Sequence, residues 1–346
     1  MYLKNLFRKK NKKLLFTTPS HSQKFCIVSK YRAFYLNDIS ETDAHNPEFA
    51  LQKAQESATK IYGSRQTLFL TNGSSSGIIT GVLACVRKDD NVLVWRDAHV
   101  CHHNAIKLAG ANPVYYELPV MPEWGVNGRV TTENLEQYLK KYKIKAVLIT
   151  SPSYYGIVSD IKTIKNLCKK YGAYLIVDEA HGALYPFSDK LPESAIKYAD
   201  ITVQSLHKTA GGLNPSALIH SNLDFDIQPY LNMISTTSPS YPLLASIEAT
   251  VNYLNSQRGR NRLNKLTENI EIIRKNTTNT EFGGDDITKI LIKKQGISGF
   301  ELSKILFEKY NIEDEITNDV STMLLTGIGT DEKKLKRLSE VLSKIF

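Results

Sequence analysis

Short apolar runs alternate with stretches of helical periodicity between about residue 66 and residue 220. Apolar runs bounded by turn residues indicate buried strands, and the stretches between them indicate helices. This alternation predicts a mostly parallel sheet covered by helices on both faces. The predicted strands are 67–70, 92–95, 113–117, 146–150, 173–177 and 201–203.

The pattern changes after a long helical stretch, which begins near Pro242 and resumes over 260–275. Gly283-Gly284-Asp285-Asp286 then marks a break. Beyond it we predict a small α+β unit with strands at 288–292, 312–316 and 322–326 and helices at 298–310 and 332–345. The 346 residues suit one large and one small domain. The predicted divisions are an N-terminal arm at 1–47, a large domain at 48–260 and a small C-terminal α+β domain at 261–346.

The net charge of +9 first suggests a nucleic-acid-binding protein. Six of the basic residues fall in the leader, residues 1–13, and many other lysines are scattered along predicted helices. Because no basic stripe with interleaved aromatic residues is present, we expect no nucleic-acid partner. The leader could be a weak membrane-surface helix, but a mobile or dimer-clasping arm is the expected role.

The cysteine pattern and the hydropathy bear on the compartment. Cys26, Cys85, Cys101 and Cys168 lie far apart and form no C-x-x-C pair, which indicates free thiols and a reducing compartment. No apolar run reaches the ~18 residues of a membrane span, and the leader lacks the apolar core of a secretory signal. We therefore expect a cytoplasmic protein without a membrane partner.

Two predicted strands end at residues that suit cofactor chemistry. Asp178 follows strand 173–177, and Lys208 follows strand 201–203 within Ser205-Leu206-His207-Lys208. Ligands of α/β sheets bind at the carboxyl ends of strands. A lysine there can form a Schiff base with a carbonyl cofactor, and a buried aspartate can pair with the pyridinium nitrogen of pyridoxal 5′-phosphate (PLP). Neither residue alone is strong evidence, since an aspartate in this position is often a helix cap.

Hydroxyl side chains cluster where a phosphate could bind. Thr71-Asn72-Gly73-Ser74-Ser75-Ser76-Gly77 joins a strand to a helix, and free N–H groups at a helix start favour an anion. The alternative is a capped helix start, a role that serine also fills. Ser205 and Thr236-Thr237-Ser238 are two further hydroxyl clusters that favour phosphate.

His99 follows strand 92–95, where it could stack on a planar ring. His99, Cys101, His102 and His103 could instead hold a metal ion, but this contiguous spacing fits no common zinc pattern, so we expect no metal. For His102 and His103 the competing interpretation is a surface histidine with no role.

Asp178-Glu179-Ala180-His181 also spells the box of a helicase. That function requires a phosphate loop of the form G-x-x-x-x-G-K-[ST], which the chain lacks. The helicase hypothesis is therefore excluded, whereas an aspartate that faces a pyridinium remains compatible with the motif.

Taken with their flanks, these motifs resemble the ornithine/lysine/arginine decarboxylase family of PLP enzymes. That resemblance implies the aspartate-aminotransferase-like PLP fold of type I: a mostly parallel central sheet covered by helices and a small C-terminal α+β domain. It covers nearly the whole chain in order. The motifs that carry it are 16–21, 41–47, 71–77, 96–99, 178–181, 205–212, 237–241, 299–302 and 312–315.

The resemblance implies a role for each matching residue. Lys208 would bind PLP covalently, Asp178 would partner the pyridine nitrogen and His99 would stack on the ring. Ser74, Ser75 and Ser205 would hold the phosphate beside His207, and Ala180 would lie under the ring with His181 at the edge of the substrate pocket. Thr237 and Ser238 would reach the phosphate site of a second subunit in a homodimer with shared active sites.

The implied reaction is decarboxylation of a basic L-amino acid, arginine, lysine or ornithine, which gives CO2 and a precursor of polyamines. The open alternatives are another PLP-dependent reaction (decarboxylation of a different amino acid, a lyase or a transaminase) and a non-catalytic partner of a full-length enzyme. Carboxylates that could bind the basic side chain are Glu41, Asp43, Glu313 and Glu315, each of which could also be a surface acid or a helix cap.

The chain departs from the family pattern near its start. Pro19-Ser20-His21-Ser22 stands where the family usually has Pro-Gly-His-Lys, so the local loop geometry is expected to differ. The length is expected to correspond to a short form of the family.

Overall fold

A seven-stranded sheet and a four-stranded sheet organise the computed structural model, which describes residues 1–10, 32–39, 44–277 and 280–346. The strands are β1 (Gln66–Leu70), β2 (Asn91–Trp95), β3 (Asn112–Tyr116), β4 (Val120–Met121), β5 (Val126–Asn127), β6 (Ile144–Thr150), β7 (Tyr174–Asp178), β8 (Ile201–Ser205), β9 (Ala217–Ser221), β10 (Glu281–Gly283), β11 (Lys289–Lys293), β12 (Ile316–Thr317) and β13 (Thr322–Leu325).

Helices connect and cover these strands. In the described residues they are α1 (Tyr2–Lys10), α2 (Arg32–Asn37), α3 (Phe49–Tyr62), α4 (Gly73–Cys85), α5 (Val100–Leu108), α6 (Thr132–Lys141), α7 (Ile161–Lys170), α8 (Leu206–Thr209), α9 (Gln228–Asn232), α10 (Tyr241–Asn255), α11 (Gln257–Asn276), α12 (Gly299–Tyr310) and α13 (Glu332–Ile345). None of them is both long enough and apolar enough to cross a membrane.

The large sheet has the order β1-β9-β8-β7-β6-β2-β3. Neighbouring strands from β8 through β3 pair in parallel, and β9 pairs antiparallel with both β8 and β1. The prediction of a mostly parallel sheet is confirmed. The reversed strand β9 was not predicted: its apolar run resembles that of its neighbours, and the direction of a strand is set by pairing across the sheet.

Side chains that alternate along the central strands pack on opposite faces, as expected for strands covered on both sides. Ile176 of β7 and Leu148 of β6 pack in one apolar cluster with residues of α4 and α5. Leu175 and Val147, one residue earlier on the same strands, pack in another cluster with α6 and α7. The sheet is therefore a middle layer whose carboxyl edge is left for ligands.

The C-terminal part contains the four-stranded antiparallel sheet, in the order β10-β11-β13-β12. The predicted strand at 312–316 is mostly wrong, since only Ile316–Thr317 is a strand there. Residues after α12 instead end that helix: Asn311 adopts a left-handed conformation, and Ile312 N donates to Leu306 O at 2.9 Å. The predicted domain boundary at 260/261 falls inside the continuous helix α11.

Candidate active site

A cavity of about 530 Å³ opens at the carboxyl ends of β2, β3, β6 and β7 and beside the start of α4. Parallel strands present their ends at one edge of a sheet, so residues far apart in sequence meet there. Eight of the predicted site residues line this cavity: Ser74, Ser75, His99, Asp178, Ala180, His181, His207 and Lys208.

Lys208 lies on α8, directly after β8, with its amine turned toward the cavity. Its Nζ is 2.9 Å from His181 Nε2 and 5.3 Å from the centre of the Tyr154 ring. Burial lowers the pKa of Lys208 despite the opposing effect of Asp178. A lower pKa increases the unprotonated fraction of the amine at neutral pH, and that is the form that attacks a carbonyl.

Asp178 is the last residue of β7 and is buried. Its Oδ1 accepts a hydrogen bond from Ala180 N, and its Oδ2 accepts one from His102 Nε2, both at 3.0 Å. Burial by itself raises the pKa of this carboxyl. The hydrogen bond from His102, the electrostatic effect of His102 and the hydrogen bond from Ala180 N together lower the pKa below the ordinary value. Asp178 is therefore ionised at neutral pH although it is buried.

The sequence did not identify His102 as part of the site, and the interpretation as a surface histidine without a role is wrong for it. His102 is only 1% exposed and hydrogen-bonds to Asp178. The available signal was its position three residues after His99, in the first turn of the helix that follows β2. His103 is half-buried, with its ring 6.0 Å from that of Tyr115.

His99 caps the start of α5, where its Nδ1 accepts a hydrogen bond from Cys101 N at 3.3 Å. Burial and nearby positive charge lower its pKa in spite of Asp178, so the ring is neutral at neutral pH. A neutral imidazole that lines the cavity can lie against a planar cofactor.

The four residues weighed as metal ligands, His99, Cys101, His102 and His103, are not the group that the fold brings together. In the described part of the chain, ligand atoms of Cys101, His102 and Asp178 lie within 4.8 Å of one another. Burial raises the pKa of Cys101 to about 12, whereas a thiol binds metal as the thiolate. The hydrogen bond between His102 and Asp178 accounts for this arrangement, and the absence of a metal stays a prediction.

The predicted phosphate loop forms the start of α4. Gly73 has a φ of +74°, its N–H donates to Pro215 O at 2.9 Å, and Ser74 and Ser75 follow in the first helical turn. The first-turn N–H groups of a helix have no intrahelical partner, and both serines face the cavity. Ser205 is fully buried and does not line the cavity, and its Oγ lies 3.1 Å from His207 Nδ1. It supports His207, which does line the cavity.

The remaining predicted residues lie elsewhere or outside the described residues. Thr237 and Ser238 are exposed and do not line the cavity of their own chain. Glu313 and Glu315 are exposed, but Glu315 is near enough to raise the pKa of Lys208. Asp43, Glu41 and the motif 19–22 fall among the residues that the structure does not describe.

Tyr154 is a further cavity residue that sequence reasoning missed. It lies on the loop after β6, and its ring is 4.4 Å from that of His181 at an interplanar angle of 57°. The available signal was its position, since residues that follow a parallel strand collect at the ligand edge of the sheet.

The residues present fit PLP. They supply an amine with a lowered pKa, an ionised carboxylate, a neutral imidazole and a helix start for a phosphate, all around one cavity. These four groups match the four parts of the cofactor, which are the aldehyde, the pyridine nitrogen, the ring face and the phosphate.

The fold and this cavity define a member of the aminotransferase-like class of α/β proteins. Comparison with protein families narrows the class: residues 33–291 match the model of the Orn/Lys/Arg decarboxylase major domain. The chain belongs to the Orn/Lys/Arg decarboxylase family.

Comparison with individual proteins gives similar sequences and structures. The chain is 32% identical to the uncharacterized protein YaaO of Bacillus subtilis (strain 168), covering 83% of this chain and 63% of that one. It is 30% identical to an arginine decarboxylase of the same strain, covering 88% of this chain and 66% of the relative. It thus spans less than two thirds of the length of these relatives. The structure of the constitutive lysine decarboxylase of E. coli matches with a TM-score of 0.86 at 19% identity, over 99% of this chain and 60% of that one.

Proposed function

We propose that the protein is a PLP-dependent decarboxylase of a basic L-amino acid, which releases CO2 and leaves a diamine or agmatine. The observation that carries the proposal is that Lys208 and Asp178 line one cavity. Their surroundings lower the pKa of the Lys208 amine, which favours its neutral form, and lower the pKa of the Asp178 carboxyl, which favours its ionised form. The names of curated relatives, arginine and ornithine decarboxylases, support the reaction type.

PLP, when bound, would supply an electron-withdrawing ring that stabilises the electrons left at Cα after CO2 departs. Asp178 would keep the pyridine nitrogen protonated, because its own carboxylate stays ionised and faces that nitrogen. His102 would hold the Asp178 carboxylate in one orientation through their 3.0 Å hydrogen bond. His99 would cover one face of the ring and exclude water from it.

Lys208 would hold the cofactor aldehyde between turnovers and then give way to the substrate amine. The Nζ of the free amine lies 2.9 Å from His181 Nε2, so the His181 ring can hold the amine in place by a hydrogen bond. Burial and the charges of Lys208 and Lys289 lower the pKa of His181 to about 3, so the imidazole stays neutral and can accept a hydrogen bond from the amine.

A basic substrate side chain requires negative charge near the cavity. Glu315 acts electrostatically on both Lys208 and Tyr154, and its neighbour Ile316 lines the cavity. We propose Glu315 as the first carboxylate to test for substrate binding, with Glu313 and Asp43 as further candidates. Arginine is the first substrate to assay because relatives about 30% identical carry the name arginine decarboxylase.

A homodimer with shared active sites and a location in the cytoplasm are parts of the same proposal. The exposed position of Thr237 and Ser238, away from the cavity of their own chain, suits residues that reach a partner's site. Buried free thiols at Cys85, Cys101 and Cys168 suit a reducing compartment.

The Lys208→Ala variant tests the assignment. We expect it to lose the visible absorbance of PLP bound through a protein lysine and to lose CO2 release from arginine, lysine and ornithine by a factor of about 10⁴ or more, since covalent binding of the cofactor to the enzyme is removed. Lys162→Ala, at an exposed lysine on α7, is the control and should retain both signals.

Three results would contradict the proposal in different ways. Turnover by the Lys208→Ala protein would refute the role of the lysine. A wild-type protein with the PLP absorbance band but without CO2 release from any amino acid, acidic ones included, would indicate another PLP reaction. A wild-type protein that acquires no PLP band would indicate a non-catalytic partner.

A further inference from the structure

A buried ion pair lies behind the candidate active site. Lys289 on β11 and Asp286, three residues before it, both have fully buried side chains, and Lys289 Nζ lies 2.5 Å from Asp286 Oδ2. Asp286 also accepts hydrogen bonds from the Tyr185 hydroxyl at 2.8 Å and from Thr288 N and Oγ1. Burying two charges costs free energy that their attraction returns only in part, so stability alone is a weak reason for this pair.

The ion pair contacts the backbone of a site residue. Lys289 Nζ donates a hydrogen bond to the carbonyl oxygen of His181 at 3.1 Å. The ring of the same His181 lies 2.9 Å from the amine of Lys208. A continuous series of polar contacts therefore runs from Asp286 through Lys289 and His181 to Lys208.

The turn that carries Asp286 also binds the loop 153–158. The N–H groups of Asp285 and Asp286 donate to Gly156 O at 2.8 and 3.0 Å. The Asp285 carboxylate accepts from Val158 N at 2.8 Å. Three hydrogen bonds therefore join the turn to the loop directly.

The fit between turn and loop is close at Gly284. Its φ is +79°, and a Cβ there would lie 2.8 Å from Tyr155 O. The loop places the ring of Tyr154 against the ring of His181, 4.4 Å away. The Gly283-Gly284-Asp285-Asp286 break in the sequence is thus a contact surface for the active-site loop.

We propose that Asp286 and Lys289 are positioning residues for the chemistry of Lys208. The ion pair fixes the His181 carbonyl, and the adjoining turn fixes the loop that bears Tyr154, so that both rings face the lysine amine in one arrangement. The inference rests on the proposed function because it takes Lys208 as the reactive amine.

The charge of Lys289 also acts on Lys208 directly. Burial lowers the pKa of Lys208 and Lys289 lowers it further, against the opposing effect of the acidic neighbours. Removal of the Lys289 charge is therefore expected to raise the pKa of Lys208. The titratable groups that face Lys208 are Asp178, Glu315, Cys101, Lys289, His99, His181 and Tyr154.

The test uses the full chain with Asp286→Asn combined with Lys289→Met, which removes both charges of the pair together, so that neither is left buried without its partner. The control combines Glu281→Gln with Lys293→Met, a 2.9 Å ion pair on β10 and β11 with an exposed glutamate. Hydrogen exchange followed by mass spectrometry reports on the loop 153–158 independently of PLP.

We expect amides of 153–158 and of the segment around His181 to exchange about ten-fold faster in the double variant, with amides of β7 unchanged because global stability is retained. In the PLP-loaded protein, the midpoint of the pH titration of the PLP absorbance band should move to higher pH, and kcat should fall about ten-fold with KM changed less than about two-fold. The control should match the wild type in all three measurements.

Wild-type exchange in both segments together with an unchanged titration midpoint would overturn the proposal. If the double variant does not fold, Gly284→Ala takes its place, since it pushes the Tyr155 carbonyl away while the ion pair is kept. Faster exchange over 153–158 and a lower kcat are expected, and an unchanged loop and kcat would overturn the proposal. A wild-type chain without a PLP band would refute the proposed function, whereas exchange would still decide the positioning role.

Discussion

The charge of Asp178 depends on its burial and on the groups that contact its carboxylate. Burial is the largest single effect and raises the pKa of Asp178, whereas the hydrogen bond from His102, the Ala180 N–H and nearby positive charge together lower it below its ordinary value. His102 in turn is held at the right distance by its place on α5, one helical turn after His99. A buried histidine of no apparent function in the sequence thus helps to keep a candidate catalytic carboxylate ionised.

His102→Phe should weaken PLP binding by about ten-fold, because a hydrogen bond to a charged group contributes about 1.5–3 kcal/mol. The sign of the pH effect follows from Asp178. A carboxyl with a lowered pKa stays ionised into acid, so loss of the His102 hydrogen bond raises its pKa and moves the acidic limb of kcat/KM to higher pH. Both are measured by PLP titration and by rate profiles from pH 5 to 9.

His103→Phe is the matched control, because His103 is the next residue of the same helix and the structure shows no hydrogen bond between it and Asp178. The role of His102 would be refuted if its variant kept the acidic limb of the wild type.

Helix α4 positions the candidate phosphate site. It packs on the sheet through Gly77 and Gly81, where added Cβ atoms would lie 2.7 Å from Leu70 and Val203 side-chain atoms and 2.8 Å from Ile201 Cγ2, respectively. Only glycine allows this approach, and the approach places the start of the helix beside the cavity.

Gly77→Ala should lower the free energy of unfolding by about 1–3 kcal/mol, because the extra methyl group must displace packed side chains. It should also weaken PLP binding, since the start of α4 moves away from the phosphate. Denaturant unfolding and PLP titration check the two effects.

Gly329→Ala is the control for helix packing, because a Cβ at Gly329 meets nothing within 4 Å and Gly329 has no positive φ. Equal stability of the two variants would contradict the packing argument.

Both sheets of the protein contribute to the candidate site, and a second subunit would add to it. The large sheet carries Asp178 at its carboxyl edge, and the small sheet reaches the same cavity through Ile316 and through Lys289 behind it. Thr237 and Ser238 lie on the exposed surface instead. A homodimer would give these two side chains a function that one chain does not.

Complementation between two inactive chains tests the shared site. Lys208→Ala and the Thr237→Ala/Ser238→Ala variant should each be poorly active alone. Random association gives mixed dimers in which one site has every native residue, so coexpression should restore about a quarter of the wild-type sites. Measured CO2 release from the coexpressed chains that does not exceed that of either variant would contradict shared sites.

How far the sequence predicts this molecule depends on the range of the interactions involved. The six strands from 67–70 to 201–203 were predicted within a few residues, because local hydrophobic periodicity specifies them. The reversed direction of β9 was not predicted, because it depends on pairing with strands that are distant in sequence. The short length of β12 was not predicted either, because it follows from the backbone geometry at Asn311, where α12 ends.

The candidate site divides in the same way. Lys208, Asp178, His99 and the serines of α4 were found from the sequence, since each follows a strand or begins a helix and so reaches the ligand edge of the sheet. His102, Tyr154 and Lys289 became visible only in the tertiary structure. A histidine beside other histidines and a lysine at the start of β11 look solvated in sequence, yet burial is decided by which elements pack over them. Local sequence therefore specifies which residues can carry the chemistry. The packing of the two sheets specifies which other side chains orient these residues and shift their pKa values.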